Sequence, residues 1–417
     1  MSTVLGIQHP IAPDAHVNRN SDDMLMDASK ISPTHINRAL FLTAAGTVTL
    51  ALVGLLGALV SGRQFAFSYL TAFVFAASIA IGSLFWIMIH HLTSATWSVV
   101  IRRQFENQTL CLLALIPLFI PITLSLSSLY GWMDAGANSG DSLWQAKRPY
   151  LNAPWFVARA SFDLLCWAGM AWRLRSLSVQ QDWSRNPALS QKMVAVSSWG
   201  IVVLGLTSTY ASFDWMMSLN YRWYSTMYGV YFWAGSFVSS LAAVTLIVVI
   251  LHANGALRHS INEEHLHDLG KLLFAFVIFW AYISFSQYLL IWYANLTAEI
   301  PWYIVRLHGT WLPVTIILMF GHFVIPFVLL LRRDAKRSWR VMGFVAVWLL
   351  AFHYLDIAWQ VLPALHPTQA QPHWLDFVWL LAFAGVVMLG VLYGLRNSAL
   401  LPVRDPRLVE SLNFHQE

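Results

Sequence analysis

The sequence predicts an all-α polytopic membrane protein: ten transmembrane helices, arranged as two four-helix bundles plus two peripheral helices. Three observations predict it. The 417 residues are 58% hydrophobic and only 11% charged, where soluble domains carry about a quarter charged. Apolar runs of the roughly 20 residues that cross a bilayer recur from residue 39 to 396 with only short breaks. Lys and Arg concentrate in alternate connections between those runs.

Residues 1–38 open the chain as a polar arm of mixed charge (Asp14, Arg19, Asp22, Asp23, Asp27, Lys30) with no apolar core of a signal peptide. The ten expected spans are 39–61, 66–97, 109–130, 153–173, 193–217, 225–251, 270–294, 305–331, 339–360 and 373–395. Together they make one membrane domain over 39–396, followed by a tail, 397–417. Spans two and six both open with aromatics and pass through small residues ("FAASIAIGS" 75–83, "WAGSFVSS" 233–240). That weak likeness divides the spans into units of two to five and six to nine, with one and ten at the edge.

Basic residues set the direction. The arm and every second connection after it hold 19 of the 25 Lys and Arg, the opposite set holds 5, and Arg159 lies within a span. Both termini are therefore expected in the cytoplasm. The cluster "LRRDAKRSWR" (331–340) is the strongest contributor and reads as a topogenic loop rather than a partner patch. The net charge of +5 is spent on orientation and points to no nucleic acid. On the outer side, Trp132, Trp144, Trp155, Trp223, Trp302 and Trp374 are expected to act mostly as interfacial anchors.

Cys111 and Cys166 fall in separate apolar runs, in no C-x-x-C or C-x-x-C-H arrangement. Covalent c-type haem, cysteine-ligated iron–sulfur clusters and a disulfide framework are all disfavoured. A b-type di-haem site needs matching histidine pairs on two helices. His308 and His322 stand fourteen apart on span eight, but span nine has only His353, span two has adjacent His90 and His91, and span six ends in His252. No metal site is expected.

An ionisable group inside a span costs roughly 2.5–3.5 kcal/mol on insertion scales and so asks for a partner or a role. Asp163 lies about 15 Å into span four, with Arg159 one turn above it at i, i+4, so the two are expected to neutralise each other. The same pair suits a proton relay or a quinone contact. Asp214, near the outer end of span five, is expected to bond outer-loop donors, Arg222 or backbone N–H groups. On span nine His353, Asp356 and Gln360 share one face, and a His–Asp pair can fix the imidazole tautomer and pass a proton. His308, Thr315 and His322 form a stripe on span eight, and span seven adds Tyr282, Ser284, Ser286, Gln287 and Tyr288. The relay candidates are thus Arg159, Asp163, Asp214, Gln287, His322, His353 and Asp356. No catalytic residue is assigned.

Composition leaves two classes open, a standalone secondary transporter and a quinol-handling or proton-conducting subunit of a redox complex. The run "FDWMMSLNYRWYSTMYGVYFWAGSFVSSLA" (213–242), followed by "LHDLGKLLFAFVIFWAYISFSQYLLIWYANL" (266–296), resembles the signature segments of the ActF-type membrane subunit of alternative complex III, a bacterial quinol:cytochrome c oxidoreductase. That subunit is of the wider NrfD-like family, and the ten-span plan extends the resemblance over about residues 39 to 396. The resemblance implies an inner-membrane subunit beside a paralogous NrfD-like membrane subunit, an iron–sulfur subunit and multihaem cytochrome c subunits, and in some systems a terminal oxidase. It places haems and iron–sulfur clusters in the partner subunits, and implies quinone or menaquinone as the membrane substrate and a role in proton conduction. The polar arm lies outside it.

Overall fold

In the computed structural model the described residues are 33–414, apart from 185 and 259, and among them every regular element is helical. Ten long helices follow one another: α1 (Pro33–Val60), α2 (Gly62–Leu92), α3 (Val99–Leu124), α4 (Ala153–Ser184), α5 (Ala188–Trp215), α6 (Tyr228–Ala253), α7 (Glu263–Ala294), α8 (Trp311–Leu331), α9 (Trp339–Val361) and α10 (Trp374–Asn397). All but α4 are long and apolar enough to cross a membrane. The 32 residues of α4 include Arg159, Asp163, Arg173, Arg175 and Asp182, which dilute its apolar run. The chain is a multi-pass α-helical membrane protein.

The expected arm, 1–38, lies outside the described residues except for its end, because Pro33 and not residue 39 opens the first helix; Pro suits that opening turn, where its missing N–H has no partner to lose. The largest boundary difference is at α3. Residues 98–108 were expected as a connection, yet Val99–Thr109 is helical and buried at every position. Ion pairs of Arg102, Arg103 and Glu106 and side-chain bonds of Gln104, Asn107 and Gln108 engage part of its polar groups, which hydropathy alone scores as solvent-seeking.

The central contact is between α2 and α6, flanked by α5, α9 and α10. Small residues set it: a Cβ on Gly82 would be driven into the Ser236 carbonyl oxygen, so only glycine lets the two backbones approach this closely. The "FAASIAIGS" and "WAGSFVSS" stretches therefore face each other across the middle of the protein. To one side lies the α4–α5 hairpin, to the other α7, α8 and α9, while α1 packs chiefly along α10.

Two helices are broken. The expected span 305–331 is a short helix, Ile300–Leu307, a turn at Gly309 (φ +56°), and then α8, which contains a π-helical turn over Met319–Val324. Arg306 joins the short helix to the end of α9, donating to the carbonyls of Trp359 (3.1 Å) and Gln360 (2.7 Å) and stacking 3.4 Å over Trp302. A cation thereby meets carbonyls that a helix end leaves without partners. Helix α3 is interrupted at Leu110 and Phe119.

The outer tryptophans depart from the interfacial expectation. Trp155 and Trp374 are exposed, but Trp132, Trp144, Trp223 and Trp302 are buried, and Trp223 stacks on Trp302 with centroids 4.5 Å apart. They close one end of the bundle as a packed cap. At the opposite, basic end the tail folds back: Asp405 pairs with Arg102 (2.8 Å), Gln104 donates to Leu400 O (3.1 Å), and Ser411 bonds Trp97 O (3.1 Å). Residues 415–417 of the tail lie outside the described part.

Candidate functional site

The seven relay candidates fall into separate places. Arg159, Asp163 and Asp214 sit between α4 and α5, whereas His322, His353 and Asp356 meet where α6, α7, α8 and α9 converge, and Gln287 stands toward the capped end of α7.

At the first place the expected partnership changes. Arg159 does not pair with Asp163; it grips Asp214 with two charge-assisted bonds, Nε to Oδ2 at 2.7 Å and Nη2 to Oδ1 at 3.0 Å. Its third arm donates to Tyr150 O (3.1 Å), and the guanidinium stacks 3.8 Å over the Tyr150 ring. Asp214 is fully buried, and Arg222, its expected partner, instead reaches Asp141 (3.0 Å). The reason is geometric: i, i+4 neighbours share a face, but this face looks across to α5, where Asp214 offers both oxygens. Asp163 is left buried with Oδ2 unbonded, in the wall of a cavity of about 600 Å3 that Phe162, Leu206 and Tyr210 also line.

The second place is the richer one. Asp356, 1% exposed, accepts from the Tyr231 hydroxyl on one oxygen and from Trp280 Nε1 (3.1 Å) on the other. His353 does not bond Asp356, contrary to expectation. Its Nε2 lies 2.7 Å from Ser78 Oγ, and the Ser78 hydroxyl donates to Phe75 O at 2.8 Å. The serine's single proton being committed there, the network assigns the His353 proton to Nε2 and leaves Nδ1 as a free acceptor. A Cβ on Gly235 would lie 2.9 Å from His353 Cε1, 3.2 Å from that Nδ1 and 3.7 Å from Asp356 Oδ2, so the bare glycine lets α6 pack directly against the imidazole, with the carboxylate beside it. His322 stands in the π-helical turn, fully buried, 4.0 Å from the Trp280 ring and 6.3 Å from His353 by centroids, with both ring nitrogens unbonded. Extra-residue turns of this kind often mark functional positions in helices.

From Asp356 polar groups continue toward the capped end. Tyr231 and Ser284 line a cavity of about 500 Å3 together with Tyr288 and Tyr303. Gln287 spans the next step, donating to Tyr303 OH (3.2 Å) and accepting from Ser225 Oγ (3.1 Å). Ser225, Gln287 and Glu299 then line a small cavity of about 130 Å3. Tyr282 faces outward at 64% exposed and takes no part. Nor do His308 and Thr315 continue a stripe: His308 ends the short helix with Nδ1 on Ile304 O, and Thr315 accepts from Trp359 Nε1.

Sequence reading missed Tyr231, Trp280 and Ser78, which hold the central pair, and the charge network of the basic end. There Arg103 bonds Asp182 (2.7 Å) and Glu106 (3.3 Å), Arg175 bonds Asn107 (2.6 Å), and Gln108 accepts from Ser83, all buried save Arg175. A signal existed in "VVIRRQFENQT", where polar residues fall on every face of a helix. Only burial from all sides gives such a segment a use.

Among the described residues no three His, Cys, Asp or Glu side chains gather as metal ligands, and Cys111 and Cys166 are separate free thiols. No protein-family model matches the sequence, and comparison with curated proteins finds no match.

Proposed function

We propose that this chain is a membrane subunit of a respiratory quinol:cytochrome c or oxidase-linked oxidoreductase, of the ActF type, and that it carries protons through its second helical unit. In this reading α4 is the tenth span, α2–α5 and α6–α9 are the two four-helix bundles, α1 and α10 are peripheral, and both termini face the cytoplasm from the inner membrane. Its redox partners are the paralogous NrfD-like subunit, an iron–sulfur subunit and multihaem cytochromes, which hold the electron-carrying groups.

The observation that carries the relay is the His353–Gly235–Asp356 arrangement. A buried carboxylate bonded only by neutral donors lies beside two buried histidines that retain unbonded ring nitrogens. A proton taken by His353 Nδ1 meets no fixed partner, and in this reading it passes to Asp356, the carboxylate that also borders Gly235. From Asp356 the Tyr231, Tyr303 and Gln287 sequence leads toward the capped end. Groups whose charge is costly in either state are those that exchange protons rather than hold them.

The test is the assembled complex in liposomes with a pH-sensitive dye. Asp356→Asn keeps one acceptor oxygen for the Tyr231 or Trp280 donor but cannot take a proton; the proton-to-electron ratio should fall while quinol oxidation continues. Asp163→Asn, outside the relay, serves as the comparison. An unchanged ratio in an Asp356→Asn complex of normal composition refutes the relay. Co-purification with multihaem and iron–sulfur subunits tests membership of the complex.

The breaks in α3 and α8 favour a second reading, a standalone secondary transporter, since discontinuous helices build transport sites. They occupy different positions in the two units, second in one and third in the other, which an internal repeat would not produce. A chain that purifies alone and binds a solute would establish that reading.

A further inference from the structure

At the basic end of the bundle a cavity of about 660 Å3 opens between α1, α6 and α10. Its walls are aliphatic, with Ile36, Ile247, Leu251, Met388 and Leu392 among them, and its rim carries His35 and Asn254. The cause lies further along α1. A Cβ on Gly54 would sit 2.6 Å from the Trp379 ring, and Gly57 receives Leu375 just as closely. These glycines pin the far half of α1 to α10, and toward Pro33 the three helices leave the space between them. A cavity with such walls, on helices apolar enough to cross a membrane, excludes water.

The rim adds charge. Arg38, Arg258 and Arg396 come one from each of the three chain segments that form the cavity, each within two residues of a lining position. All three are exposed, and among the described residues none has a carboxylate partner. No Asp or Glu occurs in 33–40, 250–258 or 388–397. Guanidinium groups above an apolar slot match a phosphate above an acyl chain.

We propose that this cavity is a binding site for an anionic phospholipid, with an acyl chain between α1, α6 and α10 and the phosphate among Arg38, Arg258 and Arg396. The site is independent of the redox and proton reading: it is lined from α1, the end of α6 and α10 and shares no residue with the relay. Binding here fastens α1, whose outer face meets no other helix among the described residues, to the body of the bundle.

The full-length chain in mild detergent, given phosphatidylglycerol and phosphatidylcholine in equal amounts, can be read by native mass spectrometry. Phosphatidylglycerol should be retained in preference by about tenfold. The triple variant Arg38→Gln/Arg258→Gln/Arg396→Gln should bring the two lipids to parity, and filling the slot with Ile247→Trp should remove both. Met388→Trp repeats the filling from another helix if Ile247→Trp does not fold. Parity in the native chain would show annular lipid only and overturns the proposal. So does retention that survives both fillings, or uptake that begins only after deletion of residues 1–31, which would make the N-terminal arm the occupant.

Discussion

The exchange of partners at Arg159 gives the sharpest test. Arg159→Met removes two charge-assisted bonds and leaves the Asp214 carboxylate buried and unpaired. Breaking a buried pair this way costs about 3–5 kcal/mol. Arg159 is 21% exposed while Asp214 is fully enclosed, so solvent recovers part of the loss and about 2–3 kcal/mol is expected, a factor of roughly 30 to 150 in the folded ratio. Asp163 Oδ2 has no bond to lose, so Asp163→Asn should be close to neutral. A double-mutant cycle separates the two geometries: the coupling energy of 159 with 214 should be about 2 kcal/mol or more, and that of 159 with 163 below about 0.5 kcal/mol. Steric-trap unfolding in bicelles, or thermal denaturation in one detergent, measures both cycles on the same material. A larger coupling between 159 and 163 than between 159 and 214 would refute the assignment and restore the i, i+4 pair that the sequence suggests.

Three further predictions follow from single contacts. Gly82→Ala should cost about 1–3 kcal/mol or more, because the added carbon must part α2 from the Ser236 backbone; unaltered thermal stability would disprove the close approach. Gly235→Ala should displace His353, whose Cε1 lies 2.9 Å from the new carbon, and slow proton transfer without loss of quinol oxidation; transfer at the native rate would show that the placement of His353 against Gly235 does not matter to the route. At Asp405 burial works against the charged form, but Arg102 and the Arg407 N–H and guanidinium outweigh it and hold the carboxyl below its usual range. The docked tail is therefore at full strength above the ordinary carboxylate pKa of about 3.9 and loses this contribution as pH falls through the lowered value. Amide protection of 398–414 should decline only in that acid range, and Asp405→Asn should lower it at pH 7; protection that is the same in both proteins at pH 7 argues against the latch.

Much of the fold was legible because bilayer thickness translates directly into run length. Nine of the ten expected spans recur as helices apolar enough to cross, with ends shifted by a few residues in most. The exceptions have one cause. Residues 98–108 are a polar segment folded inside protein, so hydropathy reads them as solvent-exposed although Arg103 is fully buried, and the second half of α4 buries polar groups such as Gln181 and Asp182 on one face only. The site was legible by residue type and not by partnership. Asp356, His353 and His322 were found because ionisable groups in apolar runs are conspicuous, while Tyr231, Trp280 and Ser78 were missed because an apolar run tolerates such residues without any role.

By itself the sequence determined the class of protein, the rough limits of most of its long helices, and which side chains would be costly in a membrane. Those are properties of single residues and of their spacing along one axis. Tertiary structure alone decided who meets whom: Asp214 in place of Asp163 for Arg159, Ser78 in place of Asp356 for His353, and glycine against serine at the α2–α6 contact. The physical reason is that a helix fixes which residues share a face but not which face another helix will cover. In a low-dielectric interior an ion or hydrogen-bond pair forms wherever donor and acceptor are brought together, however far apart they lie in the chain.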